Sequence, residues 1–191
     1  MASDDNSGTV HSEVWRVVEL LATTPAGPAN AHRLDELAKA FEKLRVGDDA
    51  VRAEAESEIW TIWSDHPESA AKLEMQHATQ VFGKGNVKTA IAEFDSLIDH
   101  YPLWAEAWNK RATAQFLLGN DSASIRDIYQ TLVLEPRHFG ALSGFAQICM
   151  RNDAQDAAQA ALRRVLIVYP SATGVANAVA SLANDSPNTL H

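Results

Sequence analysis

The chain has 191 residues, 46% of them hydrophobic and 21% charged, which is enough apolar side chain for one domain or one short solenoid. Its formal net charge of -9 opposes nucleic acid and anionic membrane as partners, since both require a basic surface. A lone cysteine, Cys149, excludes an internal disulfide framework and a cysteine-based zinc cluster, and no apolar run approaches the roughly 20 residues of a membrane-spanning helix.

In chain order, residues 1–11 are polar and acidic, lack the basic start and apolar core of a secretory signal, and are expected to be disordered. Residues 12–23 predict a helix capped by Ser12, with Val14, Trp15, Val17, Val18, Leu20 and Leu21 covering more than half its circumference. Two prolines and a glycine then mark a linker, so that 12–32 reads as an N-terminal helix and linker. Residues 33–45 carry Leu34, Leu37, Phe41 and Leu44 at helical spacing. A second helix over 49–64 has Ile59, Ile62 and Trp63 on one face and is closed by Asp65-His66-Pro67.

Beyond residue 67 the chain repeats. Pro102, Pro136 and Pro170 stand 34 residues apart and divide it into blocks 71–104, 105–138 and 139–172. Alanine takes the eighth place of each block (Ala78, Ala112, Ala146), and Gly85, Gly119 and Asp153 take the fifteenth. Apolar residues recur later in each block: Phe94, Leu97 and Ile98; Ile128 and Leu132; Leu162, Val165 and Leu166. Two antiparallel helices of about 14 residues with their turns consume about 34 residues. The small eighth residue permits close approach of the pair, the fifteenth permits the turn, and the proline ends the second helix. One such pair cannot bury its apolar face alone, so pairs must stack. Pro67 lies 35 residues before Pro102, which makes 33–67 a degenerate helix pair ahead of three repeats in 68–170. A last helix within 171–191, with Val175, Val179 and Leu182 on one face, would cover the final repeat and leave a frayed tail.

These blocks resemble the tetratricopeptide repeat family, whose pattern is Trp-x2-Leu-Gly-x2-Tyr, then Ala-x3-Phe, then Pro. The second block carries Trp108 and Pro136, with Ala112 in place of the glycine; the first carries Ala90, Phe94 and Pro102, and the third Ala146, Ala158 and Pro170. No block has the tyrosine, whose place is held by Val81, Gln115 and Cys149. The resemblance implies an all-α fold, a right-handed α-solenoid of stacked antiparallel helix pairs. The stretches 108–113 and 134–144 further resemble small repeat proteins of proteobacteria and plastid-bearing eukaryotes. Bacterial members of that subgroup often carry an export signal, which this N-terminus does not resemble. A cytoplasmic location is therefore expected, with periplasm or an organelle as the alternative if a targeting segment has been removed.

The seventh place, normally leucine in the family, holds His77, Arg111 and Phe145, and the twenty-third holds Glu93, Asp127 and Ala161. Arg111 with Asp127 is expected to form a partly buried ion pair, and His77 with Glu93 a weaker one. The five tryptophans are expected to lie mostly in the core, with Trp104 at a repeat junction as the one that exposure would suit.

No catalytic constellation, phosphate loop, cofactor site or metal-spaced histidine set is visible, and Cys149 reads as a buried inert thiol. An enzyme is therefore disfavoured. By the resemblance, the first helix of each pair lines a concave groove that holds a protein or peptide. Its partner-binding residues would include Met75, Thr79 and Phe82; Asn109, Thr113 and Phe116; Arg137; and Ser143, Gln147 and Arg151. Some family members clamp the C-terminal carboxylate of heat-shock chaperones with lysine, asparagine and arginine. Here the matching places hold Met75, Thr79, Lys110, Gly140 and Gly144, so that clamp is absent. The expected function is a protein–protein interaction module with an unidentified protein or peptide partner. The alternative is a self-associating structural subunit, a homo-oligomer joined through the 12–23 helix or an uncovered end repeat.

Overall fold

A computed structural model describes residues 4–24 and 33–185. Their helices are α1 (Asp4–Thr23), α2 (Leu34–Val46), α3 (Asp49–Ser64), α4 (Ser69–Gly83), α5 (Val87–His100), α6 (Ala105–Leu117), α7 (Asp121–Leu134), α8 (Phe139–Arg151), α9 (Gln155–Val168) and α10 (Thr173–Asp185). No strand occurs among the described residues. None of these helices is long and apolar enough to cross a membrane. The expected linker, apart from Thr24, and the tail beyond Asp185 lie outside the described residues.

The repeat arithmetic is realised in the backbone. The three fifteenth-place residues turn between helices with positive φ: Gly85 at 82°, Gly119 at 76° and Asp153 at 56°. Glycine enters that region without a Cβ penalty, and aspartate tolerates it better than most residues. The second helix of each pair ends alike. The N–H groups of Tyr101, Glu135 and Tyr169 reach back to the carbonyls of Leu97, Thr131 and Val165, one place before the proline. Ala78, Ala112 and Ala146 are buried where the paired helices meet. α5 packs along α6 and α7 along α8, so the pairs stack as an all-α solenoid. At the far end α10 lies on α9 and presents Val175, Val179 and Leu182 to the core.

The N-terminal third departs from the sequence reading in three ways. First, α1 begins at Asp4 and not at Ser12, so the expected disorder of 1–11 is corrected over 4–11. Ser12 is no cap, because its hydroxyl donates to the Thr9 carbonyl inside the helix at 2.9 Å. Second, α1 lies across α7 and α9 on the outside of the stack, with Val10, Val14 and Val17 buried. Arg16 covers the Tyr129 ring at 4.9 Å. This leaves Trp15 on the opposite side, 53% exposed, where a core position was expected.

Third, α2 and α3 form the expected pair, with the Asp48 carboxylate accepting from the Val51 N–H at 3.0 Å as the cap of α3. The pair does not extend the stack, however, because α3 does not pack along α4 as α5 packs along α6. α3 runs instead over the turns between repeats. Glu56 accepts from the Tyr169 hydroxyl at 3.0 Å, and Trp63 gives its carbonyl to the Trp104 indole N–H at 2.8 Å. Trp104 is thereby buried at its junction. The physical cause lies in α3 itself. Ala55, Ile59 and Ile62 are buried, and Trp60 and Trp63 form an aromatic surface that meets Phe139 at 5.3 and 5.0 Å. Phe41 of α2 joins the same cluster, 6.5 Å from Phe139.

Candidate functional site

The inner face of the stack is open between α6 and α8. Gly140 and Gly144 carry no side chains there, and a Cβ on Gly144 would meet only Ile128 Cδ1 at 3.9 Å. The result is a slot of 160 Å³ floored by Ala112, Ile128 and Ile148 and walled by Asn109, Thr113, Phe116 and Gln147. Those four wall residues are among the ones singled out in the sequence. The Asn109 side-chain amide donates to Glu106 Oε2 at 3.0 Å, and the Thr113 hydroxyl donates to the Asn109 carbonyl at 3.0 Å. Arg151 lies over the Phe116 ring at 4.0 Å and is held there by a fork onto both oxygens of Asp121, whose Oδ2 also accepts from the Asn152 amide.

The lower end of the slot is closed by a buried polar cluster. Glu106 and His138 are both fully buried, with Nε2 of His138 3.0 Å from Glu106 Oε2. The Ala141 N–H donates to His138 Nδ1 at 3.1 Å, which places a ring proton on Nε2, directed at the carboxylate. Burial pushes the Glu106 carboxyl up. The His138 ring, then Lys110 at 3.3 Å and the Asn109 amide, outweigh it and hold the group below the usual carboxylate range.

The α2–α3 hairpin seals this cluster. The Trp63 ring stacks on His138 with centroids 4.1 Å apart and planes 12° from parallel. A Cβ on Gly140 would come within 2.6 Å of the Trp60 ring, so only glycine leaves room for the indole. Sequence reasoning missed Trp60 and Trp63 as closers of the groove. Their one local signal is that Trp60 stands off the apolar stripe of its helix.

The remaining singled-out residues do not join the slot. Met75 is corrected to a core residue of the α4–α5 pair, where it packs with Ala78 and Phe94. Arg137 is likewise corrected: it is buried, forked onto Glu135 at 3.0 and 3.2 Å, and laid over Phe41 at 4.3 Å, so it serves the hairpin contact. Phe82 packs against the first-repeat core, Thr79 is half-buried on α4, and Ser143 is half-buried on α8 outside the slot lining. Both expected cross-helix pairs form. Arg111 forks onto Asp127 at 2.9 and 2.7 Å and also reaches Asp95 at 2.6 Å, while His77 meets Glu93 at 3.0 Å near solvent. Cys149 is buried and its thiol is pushed up to about 12 by that burial. Among the described residues no group of three or more histidine, cysteine or acidic side chains could hold a metal ion.

Stacked antiparallel helix pairs with a lined inner face define a helical-repeat protein. No protein-family model matches the chain. It is 35% identical over 146 residues to a TPR repeat-containing protein of Rhizobium etli, a match covering 76% of this chain and 71% of that one. The chain belongs to the tetratricopeptide repeat proteins. Among solved structures it resembles the first TPR of Spaghetti (RPAP3) bound to the HSP90 peptide SRMEEVD. The TM-score is 0.57 at 19% identity, over 60% of this chain and 90% of that one, which is a likeness of fold.

Proposed function

We propose that this protein is an interaction module that holds a peptide or helix of a partner protein in the groove between α6 and α8. The observation that carries this reading is the convergence of Asn109, Thr113, Phe116 and Gln147 on one slot that is left open where position 144 is glycine. A volume of 160 Å³ suits one leucine- or methionine-sized side chain. The wall amides of Asn109 and Gln147 would align the partner's backbone. A solved neighbour of the same fold holds a peptide, which supports the class of partner. The places that would grip a terminal carboxylate hold Met75, Thr79, Lys110, Gly140 and Gly144, so the partner is read through an apolar anchor.

Selection from a displayed peptide library tests this. Peptides selected by the wild type should share an apolar anchor and bind Gly144→Met at least about tenfold more weakly, the value of one filled anchor pocket. Circular dichroism should be unchanged, since the new side chain has room. Equal binding to the variant would move the site away from the groove. Self-association is the second reading. It is favoured by Leu73 at the free edge of α4, which is 66% exposed. Light scattering decides it: a mass that rises with concentration and is abolished by Leu73→Glu supports a homo-oligomer.

A further inference from the structure

A second cavity, of 380 Å³, lies outside the groove, where the end of α3 and the turn after it meet the turns that follow α5 and α7. Its size is that of a ligand site rather than a packing void. One wall is a bank of rings: His66 lies 4.8 Å from Tyr101 and 4.9 Å from Trp104. Ile62 and Trp63 form a buried apolar floor, and Leu103 stands at the rim 74% exposed.

The charges in the lining are of one sign. Asp65 is answered by Lys72 at 3.2 Å and Arg33 at 3.4 Å, and Glu135 by Arg137 at 3.0 Å. Glu68 faces the Tyr101 hydroxyl, and no ion pair answers it among the described residues. Burial and the charges of Glu68 and Glu74 together raise the Tyr101 phenol. The indole N–H of Trp63, also in the lining, is buried without an acceptor among the described residues. The cavity therefore presents ring faces and a carboxylate with no cationic partner among the described residues, and its lining holds no lysine or arginine. That combination suits a cation with an apolar stem, and it disfavours an anion.

We propose that this cavity binds a basic, apolar peptide segment, with a lysine or arginine stem lying along the rings and Leu103 and its charge meeting Glu68. The site is independent of the α6–α8 groove and would let one chain hold two segments at once. A peptide fits better than a free amine because the exposed apolar rim of Pro67, Pro102 and Leu103 extends past the pocket that a single cation would fill.

The test uses the full chain labelled with 15N, the probe acetyl-Leu-Lys-Leu-amide, and twins with glutamate or norleucine in place of lysine. The tryptophan indole N–H resonances report position. Those of Trp63 and Trp104 should move with the lysine peptide, while that of Trp15 on α1 should not. The lysine peptide should outbind the norleucine twin about tenfold, and the glutamate twin should not bind. Glu68→Gln should remove that preference. The residue is exposed and its side chain caps no helix, so the fold is retained. Leu103→Ser should weaken the lysine and norleucine peptides alike. Gly144→Met, in the groove, should leave these shifts intact, which separates failure of this site from failure of the groove. Equal binding of the glutamate twin, an unchanged Glu68→Gln, indole shifts with butylammonium as large as with the peptide, or still indoles at millimolar peptide would each overturn the proposal.

Discussion

The first repeat and the second carry the same pattern and live in different surroundings. In α6 the third, seventh and tenth places are Ala107, Arg111 and Ala114. The two alanines are fully buried, and Arg111 is tied to Asp95 of α5 as well as to Asp127. In α8 the same places are Ala141, Phe145 and Ile148, all buried. In α4 they are Leu73, His77 and Gln80, all exposed, because none of the described helices stacks on that edge. The hairpin that could have covered it is spent on the turns that end the first, second and third repeats. Burial in a repeat is thus a property of the neighbour and not of the repeat.

That contrast can be broken at its strongest point first. His138→Ala removes the partner of a fully buried carboxylate and the ring under Trp63, and should cost about 3–5 kcal/mol in urea unfolding. The equivalent junction residue of the first repeat has no such charge to strand. Next, Gly140→Val forces a side chain into the Trp60 ring and should cost about 1–3 kcal/mol. Hydrogen exchange should rise across α2–α3 and stay unchanged across α4–α5. Equal loosening of both pairs would mean that the hairpin is not separately held.

Acid should reproduce part of this. The Glu106 carboxyl is held below its ordinary value of 4.5, so the unfolded chain takes up that proton more readily than the folded one. Its stabilisation is complete above about that ordinary value and is lost as the pH falls through the depressed one. The stability gap between wild type and Glu106→Gln should therefore narrow as the pH is lowered below 4.5. A gap that stays constant to pH about 2.5 would mean that the pair does not titrate in that way.

The smallest effect compares equivalent places. Arg111→Ala leaves Asp127 buried and unpaired and should cost about 1–3 kcal/mol. His77→Ala, at the open edge, should stay within about 0.5 kcal/mol. If the two losses prove equal, the neighbour argument fails.

Much of this architecture was legible. The 34-residue interval placed the paired helices of all three repeats, the turn residues at 85, 119 and 153, and the cross-helix pairs Arg111–Asp127 and His77–Glu93. The family resemblance, through the places it assigns to the groove, led to four of the slot residues. Met75 and Arg137 were misread for one reason. A place number states which side of a helix a residue faces, and only the packed neighbour states whether that side is open. Trp60 and Trp63 were visible as apolar residues, but nothing local said that they would lie against Gly140 and His138, about 80 positions away.

By itself, then, the sequence determined the repeat, because helix length, turn conformation and the proline stop are local matters written at a fixed period. The destination of the hairpin is long-range and aperiodic, and so only the tertiary structure decided it. The two tryptophans on α3, the missing side chain at 140 and the buried Glu106–His138 pair suit one another only once the chain has folded back. That placement set which part of the groove stays open, which edge of the stack stays bare, and where the second cavity forms.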